Sequence, residues 1–374
     1  MLTTFQRQLF DDLTKLVNEN DAFYFQDFDL DGSVYRIFNY RLASYTDFLL
    51  PGAMECRGVM FEVDGDQAVR LAALPMQKFF NLHENPMTMD LDLSTVVEVQ
   101  DKVDGSLIST YMHNGDLRLK SKGSLFSDQA LAAMKWLDRK ENAVFKDALV
   151  YLTGELEFTV NLEWVSPEHR IVVGYLDPQL FVLNVRNKAV GHYMTDNMFV
   201  MNRIEPFIAK KVDVKGDIVE FVNSISDMTD DIEGYIIKLA SGQWVKVKTQ
   251  KYLSLHHAKD SVNNPRRLFE VILDEGIDDI RSMFYTDVVA MKMIDEMEVR
   301  VDKLYNSMVK TVEQFYQENK HLDRKEFAIK GQQEVERMYF GLVMNKYVGK
   351  SIDYKQFLKS KWKDLGFRDE KVED

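Results

Sequence analysis

A chain of 374 residues with 45% hydrophobic side chains is long enough for two folded units, and no apolar run approaches the length of a membrane span. Its single cysteine, Cys56, excludes an internal disulfide and any cysteine-built zinc site. The formal charge of −13 excludes a surface that is basic all round, but residues 250–374 carry 22 Lys+Arg against 23 Asp+Glu, leaving 25 against 37 in residues 1–249. A local basic groove therefore stays open to a polyanion. Together these features predict a monomeric cytoplasmic protein without membrane attachment, and residues 1–20 read as an amphipathic helix rather than a signal peptide.

Thr3 with Gln6 has capping-box spacing, and Phe5, Leu9, Leu13 and Leu16 recur at helical intervals, which predicts a first helix to about Glu19. Ala22 to Phe28 and Val34 to Tyr40 are aromatic and β-branched and flank Asp29-Leu30-Asp31-Gly32-Ser33, a hairpin pattern. That turn resembles a calcium loop, but Phe38 stands where the twelfth-position glutamate is needed. It also resembles the haloacid-dehalogenase nucleophile motif, yet the preceding Phe23-Tyr24-Phe25-Gln26-Asp27-Phe28 lacks the aliphatic character of a buried strand. A plain turn is the reading that remains.

Val96, Val97 and Val99 lead into Lys102-Val103-Asp104-Gly105, which places Lys102 at a strand end before a second β-rich run. Asn114-Gly115 joins Leu107 to Met112 with Leu117 to Lys122 as a hairpin, with Lys120 and Lys122 on one face of its second strand. Ser127 caps a helix carrying Leu131, Met134 and Leu137. Strands are predicted at Ala148 to Leu152, Phe158 to Val165, Ile171 to Tyr175 and Leu180 to Val185, and a helix at Ile218 to Ser224. In Trp244-Val245-Lys246-Val247-Lys248 the strict alternation sets both lysines on one face of a strand, where an anion is expected.

After Gln250 the texture becomes helical. One long amphipathic helix is predicted through Met291, Ile294, Met297, Val301, Leu304, Met308, Val312 and Phe315. A second, capped by Asp323 and Glu326, runs to about Tyr347, and a third starts near Asp353 and ends at Gly366. Lys350, Lys355, Lys359, Lys361 and Lys363 near this last helix form either a solvated face or an RNA-facing one. The pair His256-His257 lacks any metal-ligand spacing.

In chain order the sequence offers Glu55-Cys56-Arg57-Gly58, Lys78-Phe79-Phe80-Asn81, Lys102-Val103-Asp104-Gly105-Ser106-Leu107, Lys120-Ser121-Lys122-Gly123, Ile232-Glu233-Gly234-Tyr235, Lys246-Val247-Lys248 and Tyr252-Leu253-Ser254-Leu255-His256. This series resembles the covalent nucleotidyltransferases, and most closely the bacteriophage RNA ligase 1 family of ATP-dependent tRNA-repair ligases. The resemblance implies an α+β nucleotidyltransferase domain of packed antiparallel sheets with flanking helices over residues 1–250. An all-helical C-terminal domain over residues 251–374, concerned with tRNA or RNA specificity, would follow. It further implies that Lys102 is the nucleophile and that ATP and Mg2+ are required. Tyr40, Arg57, Lys78, Glu233, Lys246 and Lys248 would bind the nucleotide, Lys122, Glu163, Asp104, Gly105 and Tyr252 would be needed for activity, and Asp278 and Asp279 would hold a metal. The partners implied are single-stranded RNA ends, above all a broken tRNA.

Two features depart from the family pattern. Leu162-Glu163-Trp164 lacks the aromatic expected before the glutamate, and Gly154-Glu155 makes Glu155 a rival to Glu163. A free lysine is protonated at neutral pH, so Lys102 needs help to attack; a neighbouring cation such as Lys248 favours the neutral amine. Other readings are a non-catalytic RNA-binding protein on this fold, or an mRNA-capping guanylyltransferase or DNA ligase. The latter two usually carry a β-barrel after the second lysine motif, where this sequence turns helical.

Overall fold

The computed structural model describes residues 1–169, 171–194, 204–230, 232–255, 262 and 264–365; His256, His257 and Gly366 lie outside them. The chain divides into two compact units, Met1–His257 and Ala258–Asp374. The division falls later than the change of texture at Gln250, because the helix Gln250–Leu255 is tied to the first unit through buried Tyr252.

The helix Thr4–Glu19 opens the first unit with the Thr3/Gln6 capping box and buries Leu9, Phe10, Leu13 and Leu16. Three four-stranded sheets follow. The first is a meander of β1 (Phe23–Leu30), β2 (Ser33–Tyr40), β3 (Val59–Asp64) and β4 (Gln67–Ala73). Asp31 and Gly32 both take positive φ, 52° and 84°, as a two-residue hairpin turn demands, and Asp29 accepts from the Gly32 amide. Asp27 is bound bidentately by Arg36, so this loop is a structural turn.

The other two sheets hold the lysine motifs. One has the order β10 (Gln179–Asn187), β9 (Phe158–Val165), β7 (Ser106–His113), β8 (Asp116–Ser121), and the other β5 (Phe80–Asn81), β12 (Trp244–Lys248), β11 (Gly234–Leu239), β6 (Val96–Asp101). All pairs are antiparallel except β12 with β5, which confirms the α+β class with one parallel exception.

Two expected strands are corrected. Phe145, Ala148, Leu149 and Leu152 are buried at helical spacing, so Ala148 to Leu152 completes the helix Ala143–Val150 and the π-turn Tyr151–Glu155. Ile171 to Tyr175 forms no strand, because the Val172 and Val173 amides donate to the Asp104 carboxylate instead of to a ladder. In the helix Asp128–Leu137 the buried face is Ala130, Ala133, Trp136 and Leu137, leaving Leu131 exposed.

The described residues of the second unit contain helices and no strand. The long helix Val288–Asn319 is capped by Asp287 and buries Ile294, Val301, Met308, Val312 and Phe315. The next predicted helix is broken into Arg324–Glu334 and Phe340–Tyr347, because the chain turns between them to bury Val335 and Tyr339. The last, Tyr354–Ser360, is shorter than expected. Its basic stripe is largely committed within the unit: Lys355 pairs with Glu275, Lys359 with Asp274, and Lys361 with Asp364.

Candidate active site

Lys102 follows directly on β6, and its amide donates to the Gly234 carbonyl at 2.9 Å, so its backbone is pinned against β11. Gly234 pairs with Lys248 across the β11–β12 ladder, and a Cβ there would fall 2.0 Å from the Val247 carbonyl. Only glycine permits this approach, which sets Glu233 beside Lys248. Lys102 Nζ donates to Glu233 Oε2 at 2.6 Å, and Lys248 Nζ lies 3.0 Å from Glu233 Oε1. Burial pushes the Glu233 carboxyl up, but the two ammonium groups more than reverse this and hold it below the usual range. Lys248 therefore does not confront Lys102 directly: a shared carboxylate stands between them, and it is the anion that the two-lysine face of β12 called for.

Asp104 is buried and staples three segments. Its Oδ2 accepts from the Val172 and Val173 amides at 2.8 and 2.7 Å, its Oδ1 from the Tyr252 hydroxyl at 2.9 Å, and its own amide donates to the Tyr175 hydroxyl. The Tyr252 ring lies 5.0 Å from Lys248 Nζ, so Asp104 acts on the site through Tyr252. Gly105 is required by crowding rather than by a turn, since a Cβ would meet the Trp164 carbonyl at 2.3 Å.

That close approach brings β9 against the Lys102–Gly105 segment and sets Glu163, rather than Glu155, beside it. Glu155 is exposed on the π-turn, whereas Glu163 is buried on β9. Burial pushes the Glu163 carboxyl up to about 7, with Lys102 and Arg57 acting against the rise and Glu233 and Asp104 adding to it. A carboxyl whose folded pKa lies above its unfolded value contributes stability that is complete below the unfolded pKa and is lost as pH rises through the folded one. Glu163→Gln is therefore expected to gain on the parent by about 3 kcal/mol in urea unfolding between about pH 4 and pH 8. A pH-independent difference would show that Glu163 is not held this way.

Around this centre stand the remaining cations. Lys122 Nζ lies 4.3 Å and Lys78 Nζ 5.7 Å from the centroid of the Tyr40 ring, so the aromatic collects two positive charges. Arg57 Nη1 is buried with no hydrogen-bond partner, a donor suited to an anionic ligand. Lys246 shares the face of β12 with Lys248, while Val245 is buried on the other. Sequence reasoning missed Lys120: it is fully buried, donates to the Gly58 carbonyl at 2.8 Å, and burial pushes its amine down to about 7. It locks the β7–β8 hairpin onto the Arg57-Gly58 loop, and its Lys-x-Lys partner Lys122 gave only the shared face. Also missed was buried Arg186, bidentate to Glu55 at 2.6 and 2.8 Å, which anchors the other side of that loop.

Among the described residues no three His, Cys, Asp or Glu side chains cluster as a metal site. Asp278 and Asp279 occupy the first turn of the helix Ile277–Met283, where carboxylates complement the helix dipole. A divalent ion at this centre would be held largely by phosphates, as magnesium commonly is, with Glu163 the available protein carboxylate.

Residues 55–253 match the RNA ligase family, and residues 259–363 match the C-terminal domain of T4 RNA ligase 1. The chain belongs to the RNA ligase family. Its relatives include the "Putative RNA ligase" of Thermovibrio ammonificans, 25% identical over 312 residues covering 80% of each chain. Another is RNA ligase 1 of bacteriophage TS2126, 29% identical over 233 residues, or 59% of this chain and 56% of the relative. Among solved structures, an archaeal ATP-dependent RNA ligase is similar at 9% identity and a TM-score of 0.46, covering 81% of this chain and 79% of that one. The family match spans Arg57, Lys78, Lys102, Glu163, Glu233, Lys246, Lys248 and Tyr252, all of which lie in the first unit.

Proposed function

We propose that this RNA ligase uses ATP to join RNA 5′-phosphate and 3′-hydroxyl ends through three transfers centred on Lys102. In the first, the Lys102 amine attacks the α-phosphorus of ATP, a P–N bond forms and pyrophosphate leaves. In the second, an oxygen of the RNA 5′-phosphate attacks the same phosphorus, and the P–N electron pair returns to the lysine, which takes up a proton. In the third, the RNA 3′-hydroxyl attacks the activated 5′-phosphate and AMP departs.

The observation that carries this reading is the Lys102–Glu233–Lys248 arrangement, a lysine hydrogen-bonded at 2.6 Å to a buried carboxylate that a second lysine shares. Glu233 Oε2 would orient the Lys102 side chain, and the proton that the amine sheds on forming the P–N bond would leave to solvent or with pyrophosphate. Lys248 and Lys246 offer charge to the α-phosphate, and Arg57 and Lys78 to the outgoing pyrophosphate, which is electrostatic stabilisation of the developing charge. A divalent ion, Mg2+ in this proposal, supplies further neutralisation on the phosphates.

The proposed substrate is a broken tRNA, selected with the help of the helical unit, and Asp278 and Asp279 are proposed as a weaker metal position there. Incubation with α-labelled ATP or GTP and Mg2+, followed by denaturing electrophoresis, tests the reaction. Label retained from ATP, with later joining of a 5′-phosphorylated RNA, is the expected result. No retained label from either nucleotide defeats the reading, and a preference for GTP would assign the site to capping.

A further inference from the structure

A cavity of about 270 Å³ opens in the first unit beside β5 and β12, walled by Phe79, Tyr193 and Trp244 with Gln77, Gln243 and Lys78 among its polar lining. Its size is just below the roughly 300–1,000 Å³ usual for ligand sites, which suits one flat ring system better than a whole nucleotide. The rings are held in place rather than loosely packed. Tyr193 lies 4.5 Å from Trp244 between centroids, its hydroxyl accepts from the Gln77 amide at 3.0 Å, and Arg186 lies 4.9 Å from its centroid. Phe79 meets Trp244 edge-on at 6.0 Å, and Gln243 is fixed by donation to the Met87 carbonyl.

The position of the cavity follows from the strand period. Trp244, Lys246 and Lys248 are on β12 at alternate positions and share one face, with successive members roughly 6.6 Å apart. Lys248 is the member tied through Glu233 to Lys102, so the strand leads from the nucleophile past Lys246 to the aromatic cavity, where Lys78 forms part of the wall.

In-line displacement then says what should lie there. The lysine attacks the α-phosphorus opposite the departing pyrophosphate, and in the second transfer the entering RNA 5′-phosphate must approach opposite the lysine. The RNA phosphate thus enters by the path along which pyrophosphate left, among the cations beyond Lys248. The nucleoside attached to that phosphate extends further in the same direction.

From this alignment we infer that the Phe79–Tyr193–Trp244 cavity receives the base of the first nucleotide at the RNA 5′ end. The rings supply a sequence-tolerant packing surface, since every base has a π-face, and Lys78 attracts the adjoining phosphate. The inference rests on the Lys102 transfer scheme, and its test separates the two.

The full-length protein is first charged with labelled AMP, and transfer of AMP is then measured to two 5′-phosphorylated oligoribonucleotides that differ only in whether the first nucleotide carries a base or is abasic. The parent is expected to show a KM roughly tenfold lower for the base-carrying RNA. Trp244→Ala is expected to remove this discrimination while label uptake from ATP stays within about twofold of the parent, which also reports that the variant is folded. Equal KM values for the two RNAs in the parent overturn the inference without recourse to any variant. A Trp244→Ala protein that loses label uptake as severely as RNA transfer overturns it in favour of an ATP-binding role, and failure of the parent to take up label defeats the underlying scheme instead.

Discussion

Glu233→Gln is expected to slow AMP transfer to the enzyme by about two orders of magnitude or more while leaving the chain folded. The carboxylate is 3% exposed and neutralises two ammonium groups, Lys102 at 2.6 Å and Lys248 at 3.0 Å. An amide keeps the shape but removes the charge, leaving two cations in a poorly solvated site with no anion to hold them in place. Breaking a buried pair costs about 3–5 kcal/mol, and falling on the positioning of Lys102 this corresponds to roughly 10²–10⁴ in rate. Single-turnover label uptake measures it. Because the two lysines share one partner, Lys248→Met in the same background should add much less than it does alone; strict additivity, or a Glu233→Gln rate within about threefold of the parent, would show that the carboxylate does not organise the pair.

The second large effect is expected at Asp104. Asp104→Ala leaves the Val172 and Val173 amides and the Tyr252 hydroxyl without their acceptor. At about 1 kcal/mol for each of the three hydrogen bonds, two of them only part-buried, the first unit should lose roughly 3 kcal/mol in chemical unfolding. Tyr252→Phe removes one of those bonds and should cost only about 1 kcal/mol. Similar losses for the two variants would mean that the stapling of the segment around residues 172–173 has little energetic weight. Label uptake should fall in both, since the Tyr252 ring packs at 5.0 Å from the Lys248 ammonium.

The parts of this site that the sequence displays are those governed by local rules. Alternation on β12 put Lys246 and Lys248 on one face, the Asn114-Gly115 turn set the β7–β8 hairpin, and the β-rich run before Lys102 placed it at a strand end. The order of motifs supplied the family resemblance that the matches over residues 55–253 and 259–363 later bore out. What stayed hidden depends on contacts between distant segments. Nothing local in Glu233-Gly234 says that the glutamate bridges Lys102, 131 positions earlier, and Lys248, or that Asp104 is claimed by amides at 172 and 173. Lys120 and Lys122 look equivalent in sequence, yet one is sealed against Gly58 and the other reaches the Tyr40 ring. The misread stretch Ala148 to Leu152 shows the same limit at smaller scale, since an apolar run of that length fits strand or helix until Phe145 is seen to share its buried face.

The proposed scheme makes Lys102 the group that carries AMP. The most direct measurement is mass-spectrometric mapping of the protein after incubation with ATP and a divalent ion in the absence of RNA. The account predicts a single adenylylated peptide containing Lys102, labile to acid as a P–N bond is, and absent from Lys102→Ala protein. AMP found on Lys246, Lys248 or Lys120, or retained in Lys102→Ala protein, would contradict it.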